Sequence, residues 1–228
     1  MTTINKLHHG ATIITGVYGA GKTEFCVNYS LMLADESPDR CVYLSDMDVV
    51  NPYFRSREKA DFLAARGVTV IGNLTNNTTN QDLPAISGNV VRAVLAKECL
   101  VVDLAGDTLG LHALSLFKRQ LSDYDIWVVV NANRVESSTT GKVVEFVKRI
   151  EAVSGLKVTG LVNNTHMLRE TTPKDILLGE EIAHAAATQL SVPLVYTVAQ
   201  SCFAPELKDK CVAPLFLFDE MIMREPWM

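Results

Sequence analysis

The chain has 228 residues, 48% of them hydrophobic, and its 21 lysines and arginines against 26 aspartates and glutamates give a formal net charge of −5. That length suits one α/β domain over residues 1–228 with a sizeable core, and an acidic balance without a lysine/arginine run argues against a nucleic-acid surface. The five cysteines, Cys26, Cys41, Cys99, Cys202 and Cys211, have no C-x-C or C-x-x-C spacing, and no apolar run approaches the roughly 18 residues of a membrane span. Reduced thiols and a soluble, cytoplasmic protein are expected.

In chain order, Ala11–Thr15 reads as a short β-branched strand and Glu24–Leu33 as a helix. Between them stands Gly16-Val17-Tyr18-Gly19-Ala20-Gly21-Lys22-Thr23, a complete G-x-x-x-x-G-K-[ST] string. Placed between a strand and a helix, that string is a phosphate cradle. Its glycines let backbone N–H groups curl inward, and the helix start adds unpaired N–H groups and a positive dipole end. A nucleoside triphosphate is the expected ligand. Gly16, Gly19, Ala20, Gly21, Lys22, Thr23 and Glu24 are the candidate contacts, with Lys22 on the β- and γ-phosphates and the Thr23 hydroxyl on Mg²⁺.

A second strand, Cys41–Ser45, delivers Asp46 and Asp48, carboxylates two residues apart that share a face on an extended strand end. One suits Mg²⁺ and its waters, the other an attacking water. After a strand at Val68–Ile71, the asparagine- and threonine-rich stretch Gly72–Leu83 reads as a polar loop and Pro84–Lys97 as a helix. The run Cys99–Asp103 is an apolar strand carrying an aspartate at its tip, the Walker B arrangement. Asp103-Leu104-Ala105-Gly106 has the D-x-x-G form in which the Gly106 N–H senses the terminal phosphate. Further alternation follows: helix Leu109–Leu121, strand Ile126–Asn131, helix Ser138–Val153, strand Val158–Asn163, helix Pro173–Leu190 and strand Leu194–Val198. Thr172 is placed as N-cap and Pro173 as first helical residue. Strands apolar throughout and separated by helices predict a doubly wound, mostly parallel sheet with helices on both faces. Its ligand would lie at the carboxyl edge. Asn131–Arg134 and the pair Asn163/Asn164 close strands at that edge, and each reads equally well as a turn or as a nucleotide contact. The apolar tail Pro214–Met223 lacks the cationic face of a membrane helix, so it is expected to pack on the domain or on a second subunit.

With these motifs in place, the chain resembles the P-loop ATPases of the MinD/ParA/CobQ type, in the class that includes the nitrogenase iron protein. It is most similar to bacterial ATP-binding proteins carrying an Asp-x-Asp-x-x-Asn-Pro-Tyr-Phe-Arg-Ser-Arg-Glu segment, matched by Asp46–Glu58, and a Gly-Leu-Val-Asn-Asn-Thr strand end, matched by Gly160–Thr165. The likeness runs from about Ile13 to Val198 and implies the P-loop three-layer fold. By that resemblance Lys22 is catalytic, Asp48 orients the hydrolytic water, and Thr23, Asp46 and Asp103 serve Mg²⁺. Asn164, ahead of Asn163, bonds the adenine edge, while residues 192–200 finish enclosing the base. The absence of an Asn-Lys-x-Asp or Thr-Lys-x-Asp string favours ATP over GTP. The implied function is slow Mg-dependent ATP hydrolysis in a nucleotide switch, coupled to an unidentified protein partner such as a metalloenzyme under maturation, with a nucleotide-dependent homodimer. One departure stands out. MinD and ParA proteins carry a lysine at the second position of the phosphate loop, and here it is Val17, leaving Arg55 and Arg57 as candidate substitutes. Two rival readings are an ATP-dependent ligase or transferase resembling dethiobiotin synthetase, with Asp82 and Ser87 lining an acceptor pocket, and a nucleotide-binding regulator with negligible turnover.

Overall fold

The computed structural model describes residues 10–47, 59–72, 98–118, 121 and 123–223. In chain order these form β1 (Ala11–Gly16), α1 (Lys22–Glu36), β2 (Val42–Asp46), α2 (Ala60–Ala64), β3 (Val68–Gly72), β4 (Cys99–Asp103), α3 (Thr108–Phe117), β5 (Tyr124–Val130), α4 (Thr140–Ser154), β6 (Gly160–Asn163), α5 (Pro173–Leu190), β7 (Leu194–Gln200), α6 (Ala204–Leu207) and β8 (Leu215–Phe218). The strands make one sheet in the order β3-β2-β4-β1-β5-β6-β7-β8, and every pairing is parallel. The expected doubly wound α/β architecture is therefore present. The predicted helix Pro84–Lys97 and the loop beyond Gly72 lie outside the described residues, as do Asp48, Arg55, Arg57, Asp82 and Ser87.

Parallel strands buried on both faces need apolar side chains at consecutive positions, and β1 and β4 are buried at every residue. Alternation then assigns helices to faces. On β7, Tyr196 packs against Phe25 and Tyr29 of α1, whereas its neighbour Thr197 donates to Glu180 of α5 at 2.8 Å. So α1 and α5 cover opposite faces. Beneath α1 the rings of Phe25, Tyr29, Trp127, Tyr196 and Phe216 form one cluster, with Tyr29 and Trp127 5.1 Å apart edge-on and Phe25 and Phe216 5.2 Å apart. Such pairs each add about 0.5–1.5 kcal/mol beyond burial. They tie the helix that follows the phosphate loop to β5, β7 and β8. Burial, with the Tyr196 hydroxyl nearby, pushes the Tyr29 phenol well above its ordinary range.

Element ends follow local chemistry. Helix α3 starts one residue before the predicted Leu109 because Asp107 Oδ1 accepts from Gly110 N at 2.8 Å and caps it. Helix α4 begins after a 3₁₀ turn at Val135–Ser137, with Thr139 as its cap, and ends at Gly155 in the left-handed region (φ 66°). Strand β6 starts later than the predicted Val158 because the Val158 N–H bonds the Glu151 carboxylate at 3.1 Å rather than a strand. The apolar tail does pack on the sheet. It forms β8, parallel to β7 with Val198 opposite Phe216. Two carboxylates hold this edge strand. Before it, Glu180, buried in α5, accepts from Val212 N and Ala213 N at 3.1 and 3.0 Å; after it, Glu24 of α1 accepts from Ile222 N and Met223 N at 2.7 and 3.0 Å. All five cysteines are free. Cys26 and Cys99 are buried packing residues, but Cys41 and Cys202 are exposed. No helix among the described residues is long and apolar enough to cross a membrane.

The predicted start of α5 is present as a reciprocal cap. Asp175 N donates to Thr172 Oγ1, and Thr172 N donates to Asp175 Oδ2 at 2.9 Å. Thr172→Ala should lower stability by about 1 kcal/mol, read as a lower urea midpoint at unchanged slope. The bonds from Thr172, its hydroxyl first and then its backbone, hold the Asp175 carboxyl below its ordinary 3.8 in the folded chain. Its contribution is therefore complete above the unfolded value and is lost as pH falls from about 4 through the lower folded value. The midpoint difference between the native chain and Thr172→Ala should shrink in that window.

Candidate nucleotide site

The phosphate loop leaves the carboxyl end of β1, the strand between β4 and β5. Gly19 and Gly21 take φ of 72° and 81°, where an L side chain is strained, and Gly21 is the residue before α1. Strand register brings the acids to the same edge. Asp46 pairs with Asp103 across β2 and β4, and Ile14 of β1 pairs with Asp103. Thr23 Oγ1 donates to Asp103 Oδ2 at 2.6 Å. Lys22, Asp46 and Asp103 are all buried. Cys26, one turn into α1, is fully buried, and burial first, then the Asp103 charge, pushes its thiol well above the ordinary range. It stays protonated beside that carboxylate. Gly106 packs so closely on the Gly16 carbonyl and the Phe146 ring that no Cβ would fit.

One hydroxyl and two carboxylates on adjacent elements form an all-oxygen set, which suits a hard cation that keeps several of its waters. Among the described residues no group of three His, Cys, Asp or Glu side chains gathers as a thiolate or imidazole site would require. The donor chemistry therefore fits Mg²⁺ and not zinc. Asp48 lies outside the described residues.

On the other side of Gly21 and Glu24 a small cavity of about 40 Å³ opens. Leu168, Ile176, Ala199, Phe203, Phe218 and Met221 give it apolar walls, and Asn164, His166 and Gln200 add polar groups. A mostly apolar pocket with a few polar groups beside a phosphate loop has the lining chemistry for a nucleobase. Asn164 Nδ2 donates to the Ala20 carbonyl at 2.8 Å. Asn163, by contrast, is wholly buried and structural. Its Nδ2 donates to Ile176 O at 3.0 Å, and its Oδ1 accepts from Thr165 Oγ1 at 2.8 Å. Asn164 thus lines the cavity and touches the phosphate loop, whereas Asn163 is turned into the core. Of residues 192–200, Val198, Ala199 and Gln200 line the cavity.

Sequence reasoning singled out none of Leu168, Phe218 and Met221, and named Arg134 only within the strand-end string Asn131–Arg134. Leu168 holds a left-handed backbone (φ 56°) at the cavity wall, fixed by Thr171 Oγ1, which accepts from Met167 N at 2.8 Å and donates to Leu168 O at 2.6 Å. Phe218 and Met221 come from β8 and the turn after it, distant in sequence. Arg134 donates from Nε to Gly19 O at 3.0 Å; its place in the strand-closing string Asn131–Arg134 was the only signal for it. Glu24, expected among the nucleotide contacts, spends its carboxylate on Asn28, Ile222 and Met223. Asn131 is likewise internal, its Oδ1 accepting from Asn133 N at 3.0 Å. Val17 is buried, and with Tyr18 it lines an open groove past Lys22 that also includes Gly106, Phe146 and Arg149.

The sequence matches no protein-family model and no curated protein. Among solved structures it is similar to the 54 kDa signal recognition particle protein of Aeropyrum pernix K1 in complex with GDP, at 17% identity over 81% of this chain and 40% of that one, TM-score 0.54. It is also similar to the signal recognition particle receptor FtsY of Elizabethkingia anophelis in complex with GDP, at 17% identity over 86% and 58%, TM-score 0.50. FtsY of Mycoplasma mycoides matches at 19% identity over 84% and 60%, TM-score 0.50. The chain thus spans 40–60% of the length of these proteins. What is shared is the fold, that of the P-loop nucleoside triphosphatases.

Glu24 anchors the turn that carries Met221 into the cavity wall. Glu24→Ala should speed amide exchange at residues 219–223 and lower stability by about 1–3 kcal/mol, since two N–H groups lose a charged acceptor. Glu24→Asp, one methylene shorter, should restore only part of either. Unchanged exchange at 222 and 223 would show the two bonds to be incidental.

Proposed function

We propose that this chain binds Mg·ATP at the carboxyl edge of its sheet and hydrolyses it slowly as a nucleotide switch. The observation that carries the choice of ATP is the orientation of the Asn164 amide. The Ala20 carbonyl, 2.8 Å away, identifies the facing atom as nitrogen, because an oxygen there would oppose another oxygen. With one N–H spent on the phosphate loop, the amide keeps Oδ1 and its second N–H for a base edge, and among the described residues no donor holds Oδ1. Oδ1 as acceptor suits the exocyclic amine of adenine, the contact that the MinD/ParA resemblance implies for Asn164. Two of the structural neighbours hold GDP; the preference for ATP here rests on the Asn164 acceptor and on the lack of an Asn-Lys-x-Asp or Thr-Lys-x-Asp string.

Thr23, Asp46 and Asp103 would hold Mg²⁺, which when bound neutralises phosphate charge. Lys22 faces the β- and γ-phosphates, and Gly106 stands where its N–H meets the terminal one. Asp48 orients the water, an assignment resting on the MinD/ParA resemblance, as does coupling to a metalloenzyme partner and to a homodimer. Buried Val17, where those ATPases carry a lysine, supports a second reading in which the chain binds ATP and barely turns it over. No observation among the described residues favours a ligase acceptor site.

Titration with Mg·ATP and Mg·GTP should show tighter ATP binding by at least about tenfold. Asn164→Ala should narrow that gap, although it also frees the Ala20 carbonyl. GTP bound as tightly as ATP would refute the base assignment. Lys22→Ala should reduce ADP production by about a hundredfold or more. Tight ATP binding with no ADP formed, even at high protein concentration, would select the regulator reading.

A further inference from the structure

We propose that Arg134 is a positioning residue for nucleotide phosphates, a cation of the chain's own that sets the phosphate loop from outside; the inference rests on the nucleotide reading above. Its Nε donates to Gly19 O at 3.0 Å across 115 residues of sequence. A Cβ at Gly19 would lie 2.9 Å from both Nε and Cζ, so the glycine makes room for the guanidinium as well as for the turn. The next carbonyl, Ala20 O, is held by Asn164 Nδ2 at 2.8 Å. Two successive carbonyls of the loop are thus drawn outward by side chains from the ends of β5 and β6. A trans peptide sets each N–H opposite the preceding carbonyl: the Ala20 N–H, opposite the Gly19 O that Arg134 holds, donates to Val17 O at 3.2 Å and closes the loop's turn, while holding Ala20 O turns the Gly21 N–H to the opposite side, where a phosphate would sit.

Arg134 is itself held in place. It stands in a turn built on fully buried Asn131, whose carbonyl accepts from Arg134 N at 2.9 Å and from Ser137 Oγ at 2.7 Å. The Arg134 carbonyl accepts from Ser137 N at 3.0 Å. Ion pairs among the described residues join Arg66 to Asp35 and Lys157 to Glu151, and neither takes Arg134. Among the described residues no carboxylate pairs with its positive charge, which stands beside the loop. A fixed charge and pre-aimed amides cost no reorganisation when a polyanion arrives. The loop position that carries a lysine in the resembling ATPases is here buried Val17. The cation at this loop comes instead from the β5 edge.

The test compares the full chain with Arg134→Ala and Arg134→Lys in two measurements: affinity for ATP, ADP and AMP, and amide exchange of residues 16–24 without nucleotide. Arg134→Ala should weaken ATP and ADP about tenfold and AMP far less, because the loop grips the β-phosphate. It should also speed exchange at Ala20 and Gly21 while the melting temperature holds. Arg134→Lys, which keeps the charge and loses the fork, should fall between on affinity. Equal weakening of ATP, ADP and AMP would overturn the phosphate role and leave a general structural one. Wild-type affinities in Arg134→Ala would overturn it outright. If the native chain binds none of the three, the nucleotide reading fails, and unchanged exchange at residues 19–21 then removes the clamp as well. Should Arg134→Ala not fold, Arg134→Lys and Arg134→Gln carry the same comparison.

Discussion

The hydrogen bond from Thr23 Oγ1 to Asp103 Oδ2 joins the first turn of α1 to the tip of β4, and it forms because β1 lies between β4 and β5 in a parallel sheet. Parallel order sends every strand's carboxyl end to one edge. The loop after β1, the acids after β2 and β4, and the turns after β5 and β6 consequently face one another without any of them being near in sequence. Shift β1 by one place and the loop would lose either Asp103 or Arg134. The central position of this strand is therefore what the site depends on, and the burial of all six of its positions, with Ala11, Ile13 and Ile14 in the core, holds it there.

Much of this was legible from the residues alone. Continuous apolar runs fixed seven strands and their parallel sense, and Thr172-Pro173 marked the start of α5 to the residue. The glycines, Lys22, Thr23 and Asp103 were legible because their spacing is local and their chemistry has few other uses. Strand β8 was not, since Leu-Phe-Leu-Phe at residues 215–218 reads equally well as an amphipathic tail until its partner is known. Glu180 and Glu24 hold that strand from 32 and 198 residues away, and no local period encodes such a bond. Arg134 was hidden for the same reason. A single arginine after a strand carries no signal of the carbonyl it will meet. The segment Asp46–Glu58 was the most specific part of the sequence, and after Met47 it lies outside the described residues up to Lys59.

The structural neighbours share the sheet order's outcome but do not decide the base. Identity of 17–19% preserves a packing solution, not the placement of one amide. In the proposed site, the base would meet Asn164, whose amide is oriented by a carbonyl of the phosphate loop. Recognition of base and of phosphate would then be coupled through Ala20, a loop residue that is also the acceptor orienting Asn164.

The two carboxylates that hold β8 have a mechanical consequence. Glu24 is the residue after Thr23, and it grips the backbone at Ile222 and Met223. A tug on the chain beyond Met223 is delivered to α1 at its first turn, one residue from the hydroxyl expected on the metal, and it drags Met221 from the cavity wall as it goes. Whatever engages the turn at Ile222 and Met223 would hold a handle on the proposed nucleotide site.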